Sequence, residues 1–224
     1  MSWILARKKK LLMQAASVAS VVYAGNASAA ASGSPQTLSN VAIGSAAADR
    51  YVIIAVALRT NGFQADASAV TVAGVSCTQI GTDVNAGNNH LSLWRTNSPI
   101  ASGATANVVV TFTNAANIGV ATWAVTGLQS VTPTDTDSTT TDAASVTSTV
   151  SAGGIIVAAA YSVGLSPGTH TWTGVTEDFD SLSVGASGTT SGGSLNSAAG
   201  GNISVSADGT QTSSAFMMIA ASFR

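Results

Sequence analysis

The stretch Tyr51-Val-Ile-Ile-Ala-Val-Ala-Leu58, closed by Arg59 and followed by Asn61-Gly62, decides the fold class. Eight apolar residues without a polar interruption, half of them β-branched, read as a buried strand. Asn-Gly is a turn signal. A strand with one face in water alternates apolar and polar residues, and this one does not. Both of its faces therefore need cover, from a neighbouring subunit, from the N-terminal segment or from a long loop of the same chain. A second run, Gly154-Ile-Ile-Val-Ala-Ala-Ala-Tyr161, makes the same demand. Its small Ala faces allow close approach of a partner.

Outward from these runs the pattern stays that of strands. Ala69-Val-Thr-Val72 is short and β-branched, and Leu91-Ser-Leu-Trp94 alternates. Asn107-Val-Val-Val-Thr-Phe112 and Ile118-Gly-Val-Ala-Thr-Trp-Ala-Val125 follow, and further runs lie at 145–150, 171–175, 182–184, 202–206 and 215–223. Runs spaced by about 8–12 residues, with Gly, Asn and Asp between them, mark a sandwich or barrel. No 3.6-residue period persists after residue 40. The expected fold is all-β, a jelly-roll-like or Ig-like β-sandwich with an extended N-terminal arm.

The body repeats itself faintly. Residues 51–58 resemble 154–161, Val72-Ala-Gly-Val75 matches Trp172-Thr-Gly-Val175, and Asn107-Val-Val-Val110 matches Asn202-Ile-Ser-Val205. The pseudo-repeats cover about 40–130 and 145–224, with the seam at 131–144. They are either two small sandwiches in tandem or two halves of one. One domain over 33–224 is expected, because a copy of roughly 80 residues with few aromatics buries little apolar surface alone.

Composition limits the chemistry. Of 224 residues, 8% are charged, against about 25% in ordinary domains. The surface must then be covered by hydroxyls, supplied by 58 Ser and Thr. Arg7, Lys8, Lys9 and Lys10 hold half of the cations. The other four, Arg50, Arg59, Arg95 and Arg224, face all ten acids, so the body is acidic at −6. An acidic body without a basic stripe is not expected to read nucleic acid. Cys77 stands alone, so no intrachain disulfide forms, and it reads as a small buried hydrophobe.

Residues 1–32 read as an arm or as a signal-like segment. The basic run precedes Leu11, Leu12 and Met13, then an Ala/Ser/Val stretch to Tyr23, then Asn26-Ala-Ser-Ala-Ala-Ala31. That is the order of a secretory signal, with removal near Ala29 to Ala31. Gln14, Ser17 and Ser20 interrupt the apolar part. No uncharged apolar run reaches about 18 residues, so no membrane span is expected. As an arm, Arg7, Lys8, Lys9 and Lys10 would meet an acidic neighbour through attraction screened within about 8–10 Å. Leu11, Leu12 and Met13 would anchor it at about 1.5–3 kcal/mol for each buried side chain. Deleting residues 1–32 is expected to leave a folded body.

Few residues suggest catalysis. Gly164-Leu-Ser166-Pro-Gly168, with His170 beyond, has the letters of a nucleophile elbow. Pro167 and Gly168 favour a turn instead. Asp135, Asp137, Glu177, Asp178 and Asp180 gather oxygens without the spacing of a calcium loop. Glu177 with an Asp is the available carboxylate pair for glycosidase chemistry. His90, His170 and Cys77 have no zinc spacing. Trp94, Trp123 and Trp172 would stack on sugar if exposed, but each lies in an apolar strand. No enzyme activity, cofactor or metal is expected.

The segment R-K-K-K-L-L-M-Q-A-A-S precedes a charge-poor body with V-I-I-A-V-A-L-R, V-T-V-A-G-V, W-A-V-T-G-L and W-T-G-V-T-E-D-F-D. This combination resembles β-sandwich virion proteins encoded by tailed bacteriophages and prophages, over most of residues 40–224. The resemblance implies a particle component located in the virion: a capsid decoration or cement protein, a head spike or a tail-associated subunit. Its partners would be other virion subunits, such as major capsid or head–tail proteins, with copies of itself, and neither specific nucleic acid nor membrane. The alternative is an exported carbohydrate-binding or adhesive module, secreted or on the bacterial surface.

Overall fold

The computed structural model describes residues 18–60, 62–143, 145–164, 168–197, 199–209 and 215–224, with the side chain of Ser181 left aside. Arg7, Lys8, Lys9, Lys10, Leu11, Leu12 and Met13 lie outside the described residues, as does Ser166. The fold is all-β, with no helix among the described residues. Among the described residues, sixteen strands form two groups of eight. The first group is β1 (Ser20–Ala30), β2 (Gln36–Ala42), β3 (Tyr51–Arg59), β4 (Asp66–Val72), β5 (Val75–Ala86), β6 (Asn89–Thr96), β7 (Thr105–Thr113) and β8 (Asn117–Thr126). The second is β9 (Asp135–Thr139), β10 (Ser145–Val150), β11 (Gly154–Val163), β12 (His170–Thr173), β13 (Thr176–Ser183), β14 (Gly188–Ser197), β15 (Gly201–Gly209) and β16 (Ala215–Phe223).

The first group runs β1-β8-β3-β6-β5-β4-β7-β2, folding back at the β4–β5 turn so that β4-β7-β2 faces the other five strands. Ala73 and Gly74 make that turn at φ 51° and 80°, the left-handed geometry of a two-residue hairpin. The second group runs β9-β16-β11-β14-β13 against β10-β15-β12. Adding eight to every strand number converts the first order into the second. Matching hydrogen bonds mark the same place in both halves. Thr122 Oγ1 donates to the Ala42 carbonyl at 2.6 Å, and Ser222 Oγ donates to the Thr149 carbonyl at 2.6 Å.

Each half closes its own sandwich, and the two sandwiches pack through their five-stranded sheets. This differs from one sandwich built of two halves, and β3 and β11 give the reason. Val52, Ile54, Val56 and Leu58 face the first sandwich core, while Ile53, Ala55 and Ala57 face the other half. In β11, Ile156, Ala158 and Ala160 face the second sandwich core, while Ile155, Val157, Ala159 and Tyr161 face the first half. The second apolar face of each strand is thus covered by the other half of the same chain rather than by a neighbouring subunit. The shared layer also settles the packing of the small copies: each buries on its partner the surface that would otherwise be exposed.

Small residues set the approach of the sheets. A Cβ on Gly192 would lie 2.5 Å from Phe179 and 2.7 Å from Trp123, so only glycine admits both rings there. Trp123 is fully buried in the shared layer, and its indole N–H donates to Asp178 Oδ2 at 2.7 Å.

Residues 20–30, read as the end of an arm or signal, form the edge strand β1. It pairs antiparallel with β8 from Ser20↔Thr126 to Ala30↔Asn117, with a bulge between Tyr23 and Gly25. Residues 20–30 therefore belong to the sheet of the body.

Candidate functional site

Among the described residues, polar or exposed apolar side chains come together at several places, of which three carry candidate chemistry. The first is the entry of the chain into β1. Val18 and Val22 are 69% and 61% exposed. Val22 borders a groove of about 190 Å³ shared with Gly44, Ala46, Ala47 and Ala124.

The second is a cleft where β1 meets β13 and β14, lined by Tyr23, Glu177, Asp178 and Asn196. Tyr23 stacks on Phe179 with centroids 5.1 Å apart. Burial raises the pKa of Asp178, opposed by the bonds from Trp123 and Ser194. Its carboxylate is committed to holding the indole.

The third is the corner formed by the start of β4, the end of β5 and the start of β6. His90 is fully buried, and its Nδ1 lies 3.4 Å from Asp83 Oδ2, 3.9 Å from Asp66 Oδ1 and 3.2 Å from Asn85 Oδ1. Its Nε2 lies 2.9 Å from Ser92 Oγ, which accepts the Trp94 indole N–H at 2.8 Å. Indole only donates, so the Ser92 hydroxyl hydrogen is left for His90 Nε2. This network assigns the ring proton to Nδ1, aimed at Asn85 and the two carboxylates. Sequence reading missed this corner, because Asp66, Asp83 and His90 meet only once the strand register is known.

The other sequence-derived candidates have structural partners. Asp135 Oδ2 accepts the Thr149 N–H at 2.8 Å, and Asp137 Oδ2 accepts the Thr147 N–H at 3.2 Å, so both tie β9 to β10. Asp180 accepts the backbone N–H of His170 at 3.2 Å. Trp94, Trp123 and Trp172 are all buried and present no sugar-stacking face. Cys77 is half-buried, and burial pushes its thiol up to about 12. It remains a protonated thiol at neutral pH.

His170 begins β12 and is buried beside Phe216. Neither ring nitrogen has a hydrogen-bond partner among the described residues, and Asp180 Oδ1 at 3.8 Å from Nδ1 is beyond bonding reach. Burial holds its pKa below the ordinary value, against the opposing pull of Asp180, Asp142 and Asp208. The unfolded chain then takes up a proton near pH 6.5 that the folded chain refuses. Stability is therefore full at neutral pH, falls as pH drops through about 6.5, and levels below the folded pKa. His90 acts in the same direction, since burial lowers it too. Stability, followed by thermal unfolding from about pH 7.5 to 5, is expected to fall, by about 1.4 kcal/mol for each pH unit separating folded and unfolded pKa values. His170→Leu is expected to flatten part of that acid limb. An unchanged slope in His170→Leu would show that this ring is not the titrating group.

No protein-family model matches this sequence, and no curated protein matches it.

Proposed function

We propose that the protein is a structural subunit of a tailed-phage particle, of capsid-decoration or head-associated type, that acts through protein–protein contacts and not as an enzyme. Residues 1–17 are the docking arm, and the paired sandwiches are the body it carries. The observation behind this reading is the placement of exposed apolar residues. Val18 and Val22 lie where the chain enters β1, and among the described residues only Phe63 is a comparably exposed large hydrophobic. In sequence they follow Leu11, Leu12 and Met13, which themselves follow Arg7, Lys8, Lys9 and Lys10. Basic residues beside an apolar anchor suit an acidic neighbour, either a capsid or head–tail protein or another copy with its acidic body. Several weak anchors over a symmetric particle give firm attachment.

Replacing Arg7, Lys8, Lys9 and Lys10 by glutamine is expected to lower incorporation into particles at least tenfold and to leave the fold intact. Equal incorporation of this variant and the parent would remove the arm from the proposal.

The exported carbohydrate-binding module is the second reading, favoured by the cleft that carries Tyr23, Glu177 and Asn196. A signal removed near Ala29 to Ala31 would take β1 with it, and with β1 the Tyr23 wall of that cleft. The two parts of that reading therefore exclude each other, which weighs against it.

A further inference from the structure

We propose that Asp66, Asp83 and His90 bind one divalent first-row cation, with Zn²⁺ the best fit, at the β4–β5–β6 corner of the first sandwich. The ligand atoms come from three strands and all lie within 4.8 Å of one another. His90 Nδ1 is 3.4 Å from Asp83 Oδ2 and 3.9 Å from Asp66 Oδ1. Tetrahedral zinc with bonds of about 2.0–2.2 Å separates its ligand atoms by roughly 3.4 Å. The two separations between His90 and the carboxylates thus stand near coordinating distance already. Asn85 braces the site: its Oδ1, 3.2 Å from Nδ1, accepts the Gln64 amide at 2.7 Å, and its Nδ2 donates to Asp83 Oδ2 at 3.0 Å.

The support behind the ring is a separate observation. A ligating imidazole has its far nitrogen held by a partner that fixes its orientation. Here Ser92 Oγ holds Nε2 at 2.9 Å and is itself fixed by Trp94 at 2.8 Å. Binding requires no net loss of a proton. The ring hydrogen moves from Nδ1 to Nε2, the Ser92 hydroxyl turns its own hydrogen away and accepts from Nε2 as well as from the Trp94 N–H, and the Nδ1 lone pair goes to the cation.

The site is deep at the ring and open at one carboxylate. The His90 side chain is 0% exposed, Asp83 28% and Asp66 59%, which gives a hydrated ion a way in. One imidazole with carboxylate oxygens suits zinc and its first-row neighbours. Calcium, which takes six to eight oxygens, finds too few here. The corresponding hairpin of the second half, β12–β13, brings His170 only to Asp180 at ligand distance, and the described residues there form no group of three. The site therefore belongs to one half, and one ion per chain is expected.

Full-length chain stripped with a chelator, then titrated with Zn²⁺ in a calorimeter, tests this. One equivalent is expected to bind, and Co²⁺ in its place is expected to give the visible absorption of a tetrahedral complex. Asp66→Asn combined with Asp83→Asn is expected to weaken binding at least 100-fold and to abolish the Co²⁺ band. Asp66→Asn alone, at the exposed ligand, keeps the test valid if the double variant unfolds, and is expected to weaken binding at least tenfold. Ser92→Ala is expected to keep the stoichiometry and lose about 10–100-fold in affinity. The proposal is overturned if the parent chain binds neither metal, or if Asp66→Asn and the double variant bind both as the parent does.

Discussion

Deletion of residues 1–32, expected from the sequence alone to leave a folded body, is expected from the structure to unfold the first sandwich, whereas deletion of residues 1–17 leaves both sandwiches intact. The difference is β1. Its removal strips β8 of a partner along its length and leaves those backbone groups on a new edge. It also opens the shared layer, where Ala19 and Val21 are buried and Tyr23 packs against both Phe179 and Trp123. Asn196 of β14 loses two bonds to β1, since its Oδ1 accepts the Val21 N–H at 2.8 Å and its Nδ2 donates to the Val21 carbonyl at 3.1 Å. Burial of Val21 at about 1.5–3 kcal/mol, partial burial of Tyr23 at about half that, and these hydrogen bonds at about 0.5–1.5 kcal/mol each amount to roughly 5 kcal/mol. That is on the order of a whole domain's stability, about 5–15 kcal/mol. Near-UV circular dichroism through thermal unfolding measures it. A cooperative transition in the 1–32 deletion at the parent's midpoint would mean that β1 is dispensable.

Arg50→Met is expected to be the most damaging single substitution outside the apolar cores. Arg50 is fully buried, and among the described residues its guanidinium donates to four backbone carbonyls and to no carboxylate. Nε bonds Ile100 at 3.0 Å, Nη1 bonds Gly44 at 2.6 Å and Gly103 at 2.9 Å, and Nη2 bonds Ser102 at 2.9 Å. The side chain thereby pins the β2–β3 connection to the β6–β7 connection. Burial draws its pKa below the ordinary value, yet a guanidinium keeps its charge in proteins. Methionine fills much of the volume and supplies no donor, so carbonyls in both connections are stranded. At about 1–3 kcal/mol for each unsatisfied group, a loss of roughly 3–6 kcal/mol is expected in urea unfolding. Arg50→Lys, with a point charge in place of the planar fork, is expected to fall between the two. A loss below about 1 kcal/mol in Arg50→Met would show that water replaces the guanidinium without penalty.

The strands were legible wherever side chains repeat every two residues or run without polar interruption. Residues 51–58 announced a strand covered on both faces, because no polar residue marks a wet side. What covered the second face was not legible, since Ile53 looks the same whether it meets a neighbour or the other half of its own chain. The repeat was visible through its turns, with Gly74 and Gly174 both at φ 80°. Matching residues 51–58 to 154–161 is out by one position, however. It sets Val52, which faces its own sandwich, over Ile155, which faces the other half. Period two makes such a slip reverse the faces. β1 was hidden because an Ala/Ser/Val edge strand and the small-residue end of a signal have the same composition. Arg50 gave no signal, as its partners are main-chain carbonyls, which have no letter. The His90 corner was hidden for a different reason: its residues are far apart in sequence until β4, β5 and β6 are laid side by side.

Mass spectrometry of intact proteins from purified phage particles of the producing strain tests the particle role most directly. We expect this chain among the particle proteins in fixed stoichiometry, with residues 1–17 still attached. Particles that lack the chain, with the protein recovered from the medium or cell surface beginning near Ala29 to Ala31, would contradict both the structural role and the arm.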